Sequence, residues 1–400
     1  MTDVLIVGAG PAGLSAAISC AERGLQVQVI DEFMRPGGRL LGQLYQEPDG
    51  SWWNGIEEAA KLQDKAASLG VELQLGISVI DLNHSDDGWM VYTSTGILKA
   101  PTLLLATGAA ETACPIPGWT LPGVMSIGAA QVMTNVHRVR VGMRGVIVGI
   151  NVLSMAIAQE LELAGIRIAA MVLPAKNMIN NDAGDPRKVM QSIVRLGHLA
   201  PSPLLRLGSG LMRYPPLQSL GLHLYPKGGV KVWGIPVQLR KAAVEIEGIE
   251  KVESVRVANL SPDGNIVPGT SRSLPADFVC MAGGLYPLAE LAAVAGCPFR
   301  YIPELGGHIP LHNARMQTPL AGLFVAGNIT GVESAKIAAA QGTVAGLSIA
   351  AFHQVSGTEE DLRESIQNLR ITRAKASIQF HPQVAEGRQR LESMYSENFS

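Results

Sequence analysis

The sequence predicts an α/β protein with two Rossmann-like dinucleotide-binding domains of the three-layer ββα kind, the second inserted into the first. Three observations lead there. An apolar strand, a glycine-rich turn and a helix open the chain in VLIVGAGPAG, and a second strand–glycine–helix passage begins near residue 146. Residues 277–355 then return to the pattern of the first domain. At 400 residues the chain exceeds one ordinary core, and 47% hydrophobic with 16% charged residues suits a packed α/β protein rather than a disordered one. The boundaries expected are 1–115 and 277–355 for the first domain, 116–276 for the insertion and 356–400 for a helical tail.

Residues 4–7 are all apolar, as expected of a parallel strand covered on both faces. The helix expected over 12–23 stops at Gly24, a natural C-cap, and a second strand over 27–30 ends at Asp31. Ala59, Leu62, Ala66 and Leu69 share one face of the next helix, which closes at Gly70. Short strands are expected over 71–75, 77–81, 89–95 and 103–106. The insertion starts with a strand at 146–148, a helix over 152–164 and a strand over 166–173. Residues 174–220 read as irregular, and strands resume at 222–224, 230–233 and 252–260. Residues 278–282 lead back to the first domain, and the charged tail is expected to break at Pro382.

A formal charge of −2 leaves no basic excess for phosphates, so nucleic acid is not expected as a partner. Cys20, Cys114, Cys280 and Cys297 form no CxxC pair, which argues against zinc and a redox dithiol and for a reducing compartment. The opening apolar stretch is broken by Gly8, Gly10, Pro11 and Gly13 and reads as strand and turn rather than as a leader. Residues 335–352, interrupted by Lys336 and Gln341, read as a buried helix, not a membrane span. A cytoplasmic location is expected.

The chemistry begins at the first turn. Gly8 permits a tight turn, Gly10 lets backbone approach a pyrophosphate, and Gly13 lets helix and strand pack closely, with Pro11 and Ala12 between them. The helix N-terminus would bind the pyrophosphate. Asp31 lies about 20 residues on, where an acid accepts ribose hydroxyls. Glu32 beside it is counted with the cofactor-binding set, although its side chain is read as solvent-facing. Two later motifs select FAD over NAD. Ala106-Thr107-Gly108 resembles the strand end of flavin disulfide-reductase-like proteins. Gly322 to Asn328 resembles their second FAD motif, in which a terminal acid bonds the ribityl chain. Here Gly327 is followed by Asn328, which can still donate and accept hydrogen bonds.

With these motifs in order, the chain to about Phe352 resembles the pyridine-nucleotide–disulfide oxidoreductase superfamily. Within it, the likeness is to α-type subunits of multimeric dye-linked proline dehydrogenase, opine oxidase and hydrogen cyanide synthase. IDEFMRPGGRLLGQLYQ, ADFVCMAGGLYPLAEL and VAGNITGVESAKIAAAQG carry it. The resemblance implies that Gly37 and Gly38 line the flavin phosphate side and that Arg39, Gln43 and Tyr45 approach the flavin or its ribityl chain, with loop packing the alternative for the last two. It also implies an FAD-dependent dehydrogenase acting on a secondary amine or amino acid. The partners implied are a second flavoprotein of β type and a small iron–sulfur protein.

Three departures matter. The missing CxxC excludes dithiol chemistry. In the insertion, Asn151 stands where a pyrophosphate needs bare backbone, and Ser154 replaces the packing glycine of the fingerprint at Gly149. The offset from Gly8 to Asp31, applied to Gly149, lands on Val172 rather than on an acid, so NAD(P)H binding there is doubtful. Finally, residues 356–400 hold no cysteine for an iron–sulfur cluster. No metal is expected: His308 and His312 have helical spacing, but Gly306, Gly307 and Pro310 forbid a regular helix. Glu333 and Lys336 either face the flavin or pair on a helix surface, and Trp52 and Trp53 either shield the flavin or pack on the following helix. No catalytic residue is assigned. Leu204, Leu205, Leu207, Leu211, Met212, Tyr214 and Leu217, within 199–220, are expected to form a subunit interface, with an internal lid the alternative. The rival readings are a stand-alone NAD(P)H:acceptor oxidoreductase and a non-enzymatic flavoprotein scaffold.

Overall fold

In chain order the framework runs β1 (Val4–Val7), α1 (Pro11–Ala21), β2 (Val27–Asp31), α2 (Gly55–Ser68), β3 (Glu72–Leu75), β4 (Thr102–Leu105), β5 (Val124–Ser126), β6 (Arg144–Val148), α3 (Val152–Leu163), β7 (Arg167–Pro174), β8 (Ile235–Glu247), β9 (Ser254–Asn259), β10 (Arg272–Pro275), β11 (Phe278–Met281), β12 (Leu323–Val325), α4 (Ala335–Phe352), α5 (Thr358–Ala374) and α6 (Val384–Phe399). The computed structural model describes every residue except 1, 48–49, 195–202, 213, 227, 377–378, 382 and 400; the side chains of 203–205, 211 and 215–216 are also outside the description. Two units form. The first joins Met1–Gln43, Asn54–Ala110 and Leu285–Ser400, and the second joins Leu44–Trp53 and Glu111–Gly284.

The first unit is built on a parallel sheet in the order β12-β4-β1-β2-β3, with Val7 beside both Leu105 and Ile30. All four residues of β1 are buried, as its unbroken apolar run demands when helices cover both faces. Against this sheet α1 and α4 cross with their backbones nearly touching. A Cβ on Gly342 would sit 2.1 Å from the Ala12 carbonyl oxygen, so only glycine fits there. By length and composition α4 could cross a bilayer; here it is an inner helix, with 61% of its residues buried. A three-stranded antiparallel sheet, Val79–Ser85, Gly88–Thr93 and Gly96–Ala100, extends the unit.

The segment expected as a separate tail belongs to this unit. Leu362 and Leu369 of α5 join the same core as Val344 and Ala345 of α4, while Leu391 of α6 packs with Ile302, Leu305 and Ile309. Ion pairs Arg23–Asp361 and Arg315–Glu359 fasten α5 at its start. The expected break at Pro382 lies outside the described residues.

The second unit has an eight-stranded mixed sheet in the order β5-β11-β6-β7-β8-β9-β10, with a short strand, Val230–Val232, paired to β8. Residues 174–220, expected to be irregular, carry three helices: Pro186–Val194, Pro203–Leu211 and Pro215–His223. Each opens on proline, whose fixed φ and missing N–H suit the first helical position. The strand expected at 222–224 is wrong, because Leu222 and His223 finish the third of these helices.

Candidate functional site

The first glycine turn is held open. Gly8 has φ +110°, donates its N–H to Ile30 O at 2.8 Å, and could carry no side chain, since a Cβ would lie 2.4 Å from Ala106 O. Gly13 is pinned in the same way, its Cβ position being 1.8 Å from Gly8 O. At Gly10 a Cβ would meet nothing within 4 Å, and no side chain caps the start of α1. Pro11 occupies the first helical position and Ala12 packs inward. The turn therefore offers open space beside bare backbone at an uncapped helix N-terminus, a geometry suited to an anionic pyrophosphate.

Asp31 closes one side. Its carboxylate accepts Ala9 N–H at 2.6 Å and Phe33 N–H at 2.8 Å, and each oxygen retains acceptor capacity for a ribose hydroxyl. Burial raises the carboxyl above its ordinary range, against the lowering pull of those two donors. Glu32 is exposed, as read. The following loop returns to the turn: Gly37 donates its N–H to Ala9 O at 2.7 Å, and a Cβ on Gly38 would stand 3.3 Å from Gly10 Cα. Exposed Arg39 donates from Nε to Ala109 O at 3.1 Å, which orients the chain leaving β4.

The later motifs converge on the same unit. Ala106 presents its carbonyl to the glycine turn; Thr107 donates its hydroxyl to Leu288 O, and Gly108 accepts Leu288 N–H at 3.1 Å. After β12, Gly327 has φ +80° and donates its N–H to Gln341 Oε1 at 2.7 Å. Half-buried Asn328 accepts Glu333 N–H at 3.1 Å through Oδ1, leaving its Nδ2 donor available. Gln43 belongs to the first unit, whereas Tyr45 groups with the second, where it stacks on Trp53 at a centroid distance of 6.1 Å. Trp52 is exposed.

Sequence reasoning missed a buried charge cluster. Glu333, expected at a helix surface or the flavin, is instead enclosed by Arg373 and Arg388 from α5 and α6, with Arg388 Nη2 at 2.6 Å. Burial alone would push this carboxyl up, but the two guanidiniums outweigh it and hold it below its ordinary range. Buried His312 donates from Nδ1 to Pro310 O at 2.8 Å, and desolvation with Arg388 nearby takes its pKa down to about 3, so it stays neutral. No group of acids, histidines or cysteines among the described residues could hold a metal. Nothing local in the sequence signals a cluster whose members lie 40 and 55 positions apart.

The second glycine turn repeats the first and then departs from it. Gly149 has φ +114° and donates to Val172 O at 2.8 Å. Asn151, however, accepts Ser154 N–H at 2.9 Å through Oδ1, Ser154 Oγ accepts Asn151 N–H, and Asn151 Nδ2 donates to Ala282 O. This capping box satisfies the helix start from within. The pairing also corrects the position compared with Asp31. A bulge between Gly145 and Val146 shifts the register, so Val172 matches Ile30 and fully buried Leu173 stands where Asp31 does. Further along α3, buried Glu160 accepts Gln131 Nε2 at 2.8 Å, Asn135 Nδ2 at 2.7 Å and Leu44 N–H at 3.3 Å. Burial pushes its pKa up to about 7 against those donors.

Leu204, Leu205 and Leu211 of the expected interface lie outside the described side chains. Leu207, Tyr214 and Leu217 are exposed, and Met212 is partly buried against the second unit's core. All four cysteines are free and buried, and burial pushes each thiol up.

Residues 2–185 match the family described as pyridine nucleotide-disulphide oxidoreductase, and residues 309–357 match glucose inhibited division protein A. An opine oxidase subunit of Agrobacterium tumefaciens is 29% identical over 89% of this chain and 67% of its own length. Hydrogen cyanide synthase subunit HcnB of Pseudomonas aeruginosa is 28% identical over 86% of this chain and 70% of its own. Among solved structures, L-proline dehydrogenase from P. horikoshii has a TM-score of 0.63 at 20% identity over 91% of this chain, which spans 58% of that one. Thioredoxin reductase of T. acidophilum has a TM-score of 0.61 at 20% identity, covering 88% of this chain and 98% of its own. The corresponding opine oxidase protein of Rhizobium meliloti is spanned over 62% of its length. With its glycine turn and its second flavin-type motif, the chain carries a pyridine nucleotide-disulphide oxidoreductase match over residues 2–185 and is similar to the named oxidase and synthase subunits over most of its length.

Proposed function

We propose that this oxidoreductase is the α-type, FAD-holding subunit of a heteromeric dehydrogenase acting on a secondary amine or amino acid such as proline, an opine or an N-methyl amino acid. The contrast between its two glycine turns carries the reading. The first is open, uncapped and provided with Asp31; the second is filled by Asn151 and Ser154 and faces Leu173. A chain that holds FAD but no nicotinamide needs another source of electrons. Relatives named as subunits of opine oxidase and hydrogen cyanide synthase support the presence of partner subunits, and a second flavoprotein among them would fill that role.

In this reading Gly8, Gly10 and Gly13 position the pyrophosphate, Asp31 the adenosine ribose, and Asn328 the ribityl chain through Nδ2. When bound, FAD supplies the electron-accepting isoalloxazine, and the protein contributes position and electrostatics. Anaerobic stopped-flow mixing with NADH tests it. The expected outcome is slow or absent flavin bleaching; rapid bleaching at micromolar NADH promotes the NAD(P)H:acceptor reading instead. Co-expression with neighbouring genes, followed by amine-dependent dye reduction, tests the place of the chain in a larger enzyme. An isolated monomer that oxidises a secondary amine as fast as the co-expressed material defeats it.

A further inference from the structure

The element expected to meet the ribityl chain does not stand alone. Gly327 N–H and Thr330 Oγ1 both reach Gln341 Oε1, at 2.7 and 3.2 Å, and Gln341 Nε2 reaches Glu333 Oε2 at 3.1 Å. Glu333 N–H holds Asn328 Oδ1. Its carboxylate is gripped by Arg373 through Nε at 3.1 Å and Nη2 at 3.2 Å, and by Arg388 Nη2 at 2.6 Å. Arg388 Nη1 donates to Thr330 O at 2.6 Å and to Thr330 Oγ1 at 3.1 Å. These links tie the segment from Gly327 to Glu333 to both α5 and α6.

Holding two helices in place does not require this arrangement. Arg388 is buried, with its Nε left without a partner, and it lines a small cavity with His312, Leu369 and Leu391. Apolar side chains would pack that position without the desolvation of a charge. A guanidinium that fixes one backbone carbonyl and one carboxylate at once instead imposes a defined geometry on the loop between them. That geometry sets which face of the Asn328 amide is left outward.

Resting on the FAD reading, we propose that α5 and α6 clamp the 327–333 segment through Arg373, Arg388 and Glu333, making Arg388 and Glu333 positioning residues for the flavin end of the site. The clamp presents Asn328 as a donor through Nδ2, because Oδ1 is committed to Glu333 N–H. It lies at the opposite motif from the glycine turn, so it governs FAD and not a ligand that carries only the adenosine half.

The test compares FAD and ADP affinities by calorimetry, with hydrogen exchange of residues 327–333, in the full chain and in Arg388→Met and Glu333→Gln. Roughly tenfold weaker FAD binding, unchanged ADP binding and faster exchange at 327–333 are expected, with the double variant little worse than either single one. Arg373→Gln, whose guanidinium is partly exposed, provides the same comparison should Arg388→Met fail to fold. Unchanged FAD affinity overturns the clamp, and so do parallel losses for FAD and ADP, the mark of a merely structural role. Failure of the unaltered chain to bind FAD while binding ADP removes the flavin reading and this inference with it. That outcome is seen before any substitution and is not confused with the others.

Discussion

The two glycine turns of this chain share one backbone and serve opposite ends. Gly8 and Gly149 have φ values of +110° and +114°, and each donates to the neighbouring strand at 2.8 Å. Two residues later they diverge, to an open Gly10 in one and a capping Asn151 in the other. The helix start left without a side-chain cap in the first turn is capped by Asn151 and Ser154 in the second. The fold preserves the turn because strand and helix need it; only the residues beyond it decide what can bind.

Gly10→Val should break the comparison most. A branched side chain would fill the open space beside the turn, and FAD affinity, read by fluorescence quenching, should fall by roughly 100-fold or more. The matching Asn151→Val should leave it unchanged. Equal losses in both would mean that the second turn also holds cofactor.

Next in size is a pH effect in the second unit alone. Glu160 lies eleven positions past Gly149, where the first unit has Ser19 eleven past Gly8. Its folded pKa is raised to about 7, so the native state holds the proton more tightly than the unfolded chain does. Its contribution is most favourable below the ordinary carboxylate range and is lost as the pH rises toward about 7, by about 3 kcal/mol as an order of magnitude. Urea unfolding from pH 5 to 8 should show this slope, and Glu160→Gln should flatten it. A slope that persists in the variant would assign it to another group.

Asp31→Asn should weaken FAD binding by about tenfold, since a neutral amide replaces a charged acceptor at the ribose. Leu173→Asp should confer no NADH binding, because the capping box still fills the turn. The smallest effect is expected for Asn151→Ala, which removes the cap and should lower the stability of the second unit by about 1 kcal/mol in thermal unfolding. No loss would mean that the box is ornamental and that the second turn is more open than its hydrogen bonds imply.

Much of this was legible in the residues. Gly8 and Gly13 declare themselves because a tight turn and close helix–strand packing each demand glycine at a fixed spacing. The three helices beyond Pro174 were hidden by their shortness, nine residues each, although Pro186, Pro203 and Pro215 marked their starts. Strand β8 was missed because IPVQLRKAAVEIE mixes charges with apolar residues, and its identity is fixed by pairing on both sides. Leu173 took the place assigned to Val172 because a bulge, which no spacing rule records, shifts the register by one residue. The Arg373–Glu333–Arg388 cluster is purely tertiary.

Backbone contact between α1 and α4 joins residues 12 and 342, positions that leave the ribosome far apart in time. Until α4 emerges, Ala12, Ala16 and Cys20 lack the helix they pack against, and the sheet lacks β12. Residues 111–284, by contrast, supply every strand of the second unit's sheet in one uninterrupted stretch. Contacts of such unequal sequence separation order themselves: the inserted unit closes during synthesis, while the first waits on its missing strand and helix. The first glycine turn is therefore framed only once residues 323–352 have been made.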